Sequence, residues 1–267
     1  ANGTVVRGGD TALYSGLPIT PTPFVSHPDN LKDFYETGTT FINNIAISSS
    51  FDKGNYRLSF TDLRSESIIP GVNLDRQTVS ARLGFQPIDK LKINSSVSYV
   101  NSKSDNRPSN GYGSENVNYA LVAWGPRSLN INSLKNYWQP GLEGVQQYSF
   151  NYTFFDNPYF TLLENRNSFN RDRVFGNISA SYEITDQITA TVRSGMDYSS
   201  EERQMRRNFS SNRFRNGGYA EHDVFFREVN TDFLLNYKNV FNDFKVDFSI
   251  GGNRLDQKAF TGQSQTT

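Results

Sequence analysis

The sequence of 267 residues has no cysteine, which excludes a disulfide framework and thiolate metal sites together. Histidine is almost as scarce: His27 and His222 are the only two, at no metal-ligand spacing, and each reads as a surface or loop side chain. Charge of one sign is missing too. Twenty-seven basic residues balance twenty-seven acidic ones, so no general attraction for nucleic acid is expected. No run approaches the roughly 18 apolar residues of a membrane helix, so a spanning part would have to be a closed barrel of strands. Ala1–Asp10 does not pair a basic region with an apolar one, and no secretory signal is expected within the sequence.

Motifs for catalysis are also lacking. Gly111-Tyr112-Gly113 does not extend into GxGxxG and reads as a loop. Asp105-Asn106-Arg107 lacks the spacing of a calcium loop. No nucleophile is paired with a base and an orienting third group. No catalytic residue, metal ligand or cofactor is therefore expected, and the chain reads as a non-enzyme. Asn94 and Asn177 begin Asn-x-Ser triplets, but within strands, where glycosylation is not expected.

What the chain does have is aromatic residues, 14% of the total, and apolar positions that recur every second residue. Val79, Ala81, Leu83 and Phe85 alternate with Ser80, Arg82 and Gly84; Leu91, Ile93, Val97 and Tyr99 follow on the other side of a turn. Val174, Gly176, Ile178, Ala180, Tyr182 and Ile184 form a third set, and Ile188, Ala190, Val192 and Met196 a fourth. Phe41, Ile45 and Ile47, then Tyr56, Leu58 and Phe60, make an earlier pair; Phe233, Leu235 and Tyr237, then Phe244, Val246, Phe248 and Ile250, a later one. Such alternation gives a strand one apolar and one polar face.

Eight strands result, separated in turn by tight reversals and long connections. The reversals are Asp52–Gly54, Pro87–Lys90, Thr185–Gln187 and Asn239–Asp243; the polar connections are Ser65–Leu74, Ser102–Asn170, Glu201–Ala220 and whatever follows Leu255. Short turns at one end and long loops at the other predict an all-β, antiparallel transmembrane β-barrel wall of about eight strands. A mean hydropathy of −0.61 fits, because only the outer face of a barrel is apolar. Tyr99, Tyr182, Tyr198 and Tyr237 near strand ends would form an aromatic girdle. A soluble β-sandwich, glycan-binding for instance, is the competing reading. Its strands average about 5–6 residues, shorter than these, and nothing would hold its long loops at one end.

The connection Ser102–Asn170 is too long to be structureless in a compact domain. Ser114 is placed to cap a helix with Val117, Leu121 and Trp124 on one face, stopped by Gly125-Pro126, and a second helical turn is expected at Asn132–Trp138. Asn106, Arg107, Tyr112, Tyr119, Trp124, Tyr137 and Trp138 are the substrate- or partner-binding candidates, since flat aromatic faces and amides suit sugar rings or peptide backbone. The basic run Arg203, Arg206, Arg207, Arg213 and Arg215, interleaved with Phe209 and Phe214, superficially suits single-stranded nucleic acid. On an outer loop it is better matched to lipopolysaccharide phosphates or a partner protein, with Arg206, Arg207 and Arg213 as contacts.

Particular words resemble the SusC/RagA family of TonB-dependent outer-membrane transporters. They are His27–Thr40, with Pro28-Asp29-Asn30-Leu31-Lys32-Asp33-Phe34-Tyr35-Glu36-Thr37-Gly38; Asn55–Arg76, with Ile69-Pro70-Gly71 and Arg76; Trp124-Gly125-Pro126; and Asn157-Pro158-Tyr159-Phe160. The likeness runs over most of Tyr14–Leu255. It implies an importer of oligosaccharides or peptides in Bacteroidota, a plugged barrel of roughly 22 strands, and a SusD-like surface lipoprotein as lid. No plug is present in this sequence, so TonB would be met through a plug region absent from this chain, which then reads as an excerpt of a longer polypeptide. Residues 1–38 are expected to form an extracellular loop and lead-in, and 39–267 a barrel segment with its long extracellular loop at 102–170. The alternative is an outer-membrane barrel with a passive-pore, secretion or structural role.

Overall fold

The computed structural model describes residues 4–5, 22–151 and 153–266; the rest of the lead-in, including most of Ala1–Asp10, lies outside the described residues. Two short strands, β1 (Thr4–Val5) and β2 (Thr22–Pro23), pair with each other. The remaining eight form one antiparallel sheet: β3 (Thr39–Phe51), β4 (Gly54–Glu66), β5 (Asn73–Ile88), β6 (Leu91–Ser104), β7 (Asn167–Glu183), β8 (Ile188–Phe209), β9 (Asn216–Phe241) and β10 (Phe244–Gln265). Each pairs only with its neighbours in sequence, so the sheet is a meander. It is not closed: β3 and β10 are its two edges.

The expected strand count and facing are found, with differences at the ends. Pro87 and Ile88 belong to β5, where the register shifts between Phe85 and Ile88, so that reversal is only two residues long. The expected loop at Glu201–Ala220 is mostly strand: β8 runs on to Phe209 and β9 starts at Asn216. No loop follows Leu255, because β10 continues to Gln265. No helix among the described residues is long and apolar enough to cross a membrane.

Register places the apolar sets on one continuous face. Phe60, Val79, Tyr99, Val174 and Tyr198 stand in line across β4 to β8, and Leu91, Tyr182, Ala190, Leu235 and Ile250 in another line nearer the tight turns. Between them lies an apolar band whose side chains are mostly open, from Val97 at 47% exposed to Ile47 at 63%. On β8 the band runs from Ile188 to Tyr198; at about 3.4 Å per residue and a tilt near 40°, that is roughly 26 Å of height. Beyond it the same face turns charged, with Asp62, Arg64, Asp75 and Lys103. The opposite face is mostly polar, with hydroxyls, amides and arginines, and with carboxylates such as Asp197 and Asp232 on β8 and β9.

The buried core lies elsewhere. Of the buried apolar side chains only Ala220 belongs to a strand of the sheet. Phe34, Ile69, Val72, Val117, Leu121, Ile131, Leu134, Tyr148, Tyr159 and Leu162 pack together, drawn from the lead-in, the β4–β5 loop and the long loop. A small folded unit therefore sits on the long-loop end of an otherwise coreless sheet.

Candidate functional site

That unit is built from three short helical pieces with asparagine caps. Helix α1 (Val117–Trp124) starts at Asn116, whose Oδ1 accepts from the N–H groups of Asn118 (3.1 Å) and Tyr119 (3.2 Å), and not at the expected Ser114. The Asn116 amide also donates to Gly111 O at 2.8 Å, which ties the cap to the preceding turn. Gly125 ends the helix with a bond to Leu121 O (3.1 Å), and Pro126 prevents its extension. A 3₁₀ turn covers Ile131–Leu134, a shorter element than the expected Asn132–Trp138. Helix α2 (Pro158–Leu163) is capped by Asn157, with proline at its first position. Asn157 is fully buried. Its Oδ1 accepts from Tyr159 N (2.9 Å) and its Nδ2 donates to Leu134 O (2.8 Å) and Tyr148 O (2.7 Å), joining α2 to the 3₁₀ turn and to the segment at Tyr148.

Aromatic rings divide into two groups on this frame. Tyr112 and Tyr119 lie 4.7 Å apart between centroids, Tyr119 and Phe155 6.0 Å, Phe155 and Trp124 5.6 Å, Trp124 and Phe154 6.1 Å. The row presents Tyr112 (89% exposed), Trp124 and Phe154 to solvent. Trp124 therefore leaves the buried face of α1, which consists of Val117, Ala120 and Leu121. Tyr137 and Trp138 belong to the second group, edge-on to fully buried Phe160 at 6.2 and 5.3 Å. Burial, with a hydrogen bond to Glu164 Oε1 (2.8 Å) behind it, pushes the Tyr137 hydroxyl up to about 12. This pair supports the loop and offers little to a ligand.

The polar candidates separate in the same way. Asn106 is buried and spends its amide on Leu162 O (2.7 Å) and Asn167 N (3.0 Å). The Arg107 guanidinium lies 4.4 Å over the Phe169 ring and 3.7 Å from Glu201; burial lowers its pKa, Glu201 opposes that, and Arg203 and Arg171 add to the lowering. Arg206 and Arg207 lie on strand β8, not on a loop as expected. Arg207 grips Glu115 with both ends of its fork (2.6 and 3.1 Å) and also reaches Asn167 Oδ1 (2.9 Å), so its side chain is spent as a strut to the loop. Arg206 is exposed, 5.8 Å from the Tyr219 ring, and Arg213 lies in the short turn between β8 and β9. The row of Tyr112, Tyr119, Trp124 and Phe154, with buried Phe155 behind it, is the surface with the strongest binding character. Phe154 and Phe155 carry no periodic signal in the sequence.

No protein-family model and no curated protein matches the chain. Solved structures do. The RagAB peptide transporter matches with a TM-score of 0.67 at 15% identity, over 90% of this chain and 27% of that one. A closed-closed state of the RagAB peptide importer gives 0.68 at 16%, over 95% and 28%. BauA, the ferric preacinetobactin receptor from Acinetobacter baumannii, gives 0.52 at 9%, over 85% and 31%. The present chain thus spans under a third of each, and it has the fold of a stretch of these transporter and receptor chains.

Proposed function

We propose that the chain is a section of the wall of an outer-membrane import barrel, its apolar face against lipid and its polar face lining the interior. The carrying observation is the apolar band: open to solvent, roughly 26 Å tall, and bordered by Tyr99 and Tyr198 on one side and Tyr182 and Tyr237 on the other, as a bilayer of about 25 Å apolar height requires. No soluble packing partner exists for it among the described residues. The tight turns then face the periplasm, while residues 1–38 and the long loop face outward and 39–267 form the barrel segment.

In this reading the cargo is a peptide or an oligosaccharide, taken up with a SusD-like lipoprotein over the mouth and energised by TonB through a plug outside this chain. Tyr112, Tyr119 and Trp124, joined by Phe154, form the surface for cargo or lid; Arg206 and Arg213 remain free to meet lipopolysaccharide or a partner. Removing a whole stretch of the loop would destroy its core, so single replacements are the sharper test. Trp124→Ala and Phe154→Ala in the full-length protein should lower uptake or lid binding while heat-modifiable mobility, the mark of a folded barrel, is kept. Unchanged uptake and lid binding would remove the platform's role; loss of heat-modifiability in the parent would remove the barrel itself.

A further inference from the structure

The polar face is not evenly charged. Across β3, β4, β5 and β6 it carries Arg57, Arg76, Arg82 and Lys92 and no carboxylate, and of these only Lys92 reaches one, Glu183 of β7 at 3.4 Å. On β7 to β9 the arginines of the same face are largely matched, Arg173 with Asp197, Arg193 with Asp232 and Arg203 with Glu201. Arg57 and Arg82 are the sharpest case, because they are direct register partners across β4 and β5. Like charges placed opposite one another in a sheet are unfavourable, and nothing among the described residues neutralises this pair.

Arg82 borders a hollow of about 290 Å³ whose other walls include Asn55, Gly84, Asn94, Ser96 and Asn177. None of these side chains has a hydrogen-bond or ion-pair partner among the described residues. Elsewhere strand asparagines are engaged: Asn44 with Thr61, Asn236 with Asp247 and Ser249. Gly84 keeps the floor open, since a Cβ there would meet Asn55 Nδ2 at 3.1 Å. A guanidinium, three carboxamides and a hydroxyl thus converge on one space without a ligand of their own. We propose that this hollow binds a side-chain carboxylate of an acidic peptide moving through the barrel, with Arg82 as the fork, Arg57 as the second charge and the asparagine amides on the adjoining peptide groups. No aromatic ring lines the hollow, so a sugar ring finds no face to stack on, and the guanidinium fork matches a carboxylate as it does at Arg173–Asp197.

The proposal rests on the polar face being the interior of an importer. Its test uses the full-length protein in detergent, binding fluorescent peptides of equal length rich in Glu, in Gln or in Lys. The Glu peptide should bind about tenfold tighter than the Gln peptide, the scale of one charge-assisted contact. Arg57→Gln with Arg82→Gln should erase that preference and leave the Gln peptide unchanged. Asn177→Asp, which places a carboxylate in the hollow, should do the same without removing a charge from Arg82, and it covers the event that the double variant fails to fold. Equal binding of Glu and Gln peptides by the parent would overturn the proposal while leaving import intact. So would a preference that survives both variants, or a uronic-acid oligosaccharide that binds through Arg82 in place of the Glu peptide. Loss of thermal stability in ligand-free Arg82→Gln, with discrimination kept, would assign the site to a carboxylate of the protein itself and also overturn it. Failure of every peptide to bind a folded parent would take peptide import down together with the proposal.

Discussion

Replacing Val192 by arginine tests the facing assignment at its most demanding point. Val192 lies four residues above Ile188 and six below Tyr198, within the band; at about 3.4 Å per residue and a tilt near 40° it stands roughly 10 Å above the band's lower border, close to the middle. Its neighbours across the strands, Ala180 and Phe233, are apolar, and no carboxylate is in line to receive a guanidinium. Arginine at the bilayer midplane of a barrel costs about 2–4 kcal/mol, falling to about 0–1 near the interfaces. Val192→Arg should therefore lose that much, Tyr198→Arg at the border much less, and Thr191→Arg, one residue away on the polar face, less than about 1 kcal/mol. The measurement is denaturant unfolding of the full-length protein refolded into vesicles, with the folded fraction read from heat-modifiable mobility. Equal costs for Val192→Arg and Thr191→Arg would refute the assignment, and a larger cost at Thr191 would invert it.

Further outcomes concern the loop. Asn157→Ala removes a cap and strands the carbonyls of Leu134 and Tyr148, a combined cost of about 2–4 kcal/mol that should appear as fast protease nicking within residues 105–166. Burial raises the carboxyl pKa of Asp156 against the bonds from Asn212 N and Gln147, so loop stability is fully present below the ordinary carboxylate value and falls as pH rises through the raised one. Asp156→Asn, which keeps the acceptor oxygen, should flatten this dependence; nicking rates of parent and variant compared at pH 4 and at pH 7 check it. Arg207→Met should loosen the loop by about 3 kcal/mol because Glu115 is left partly buried and unpaired, whereas Arg207→Met with Glu115→Leu should recover most of it. A double-mutant cycle on loop protection would show no coupling if the strut is idle.

Strand number, reversals and facing were legible because the band enforces period two, as from Ile188 to Tyr198. Past Tyr198 that signal disappears: Ser199-Ser200-Glu201-Glu202-Arg203-Gln204 is polar on both faces, since both meet water there, and a strand in such a setting reads as a loop. The Arg207–Glu115 pair joins residues 92 apart, a separation that no local pattern carries. Ser114 and Asn116 are both capping types two positions apart; the bond from Asn116 to Gly111 O is the tertiary detail that favours the second. Phe154 and Phe155 gain their place only from the cap at Asn157 and the docking of Trp124, neither of which has a periodicity to betray it.

The strands are of unequal length, 13 residues in β3 and β4 but 22, 26 and 22 in β8, β9 and β10. One side of the rim is therefore a mast: β8 continues from Tyr198 to Phe209, roughly 35 Å of strand beyond the band. A narrow ribbon of this kind twists readily when left unsupported. Here it is guyed, through Arg207–Glu115, Gln147 to Ser210 and Asn165 to Ser211, to the same loop that carries the aromatic row. A sideways load on the mast head is thus passed to that loop at Glu115, Gln147 and Asn165.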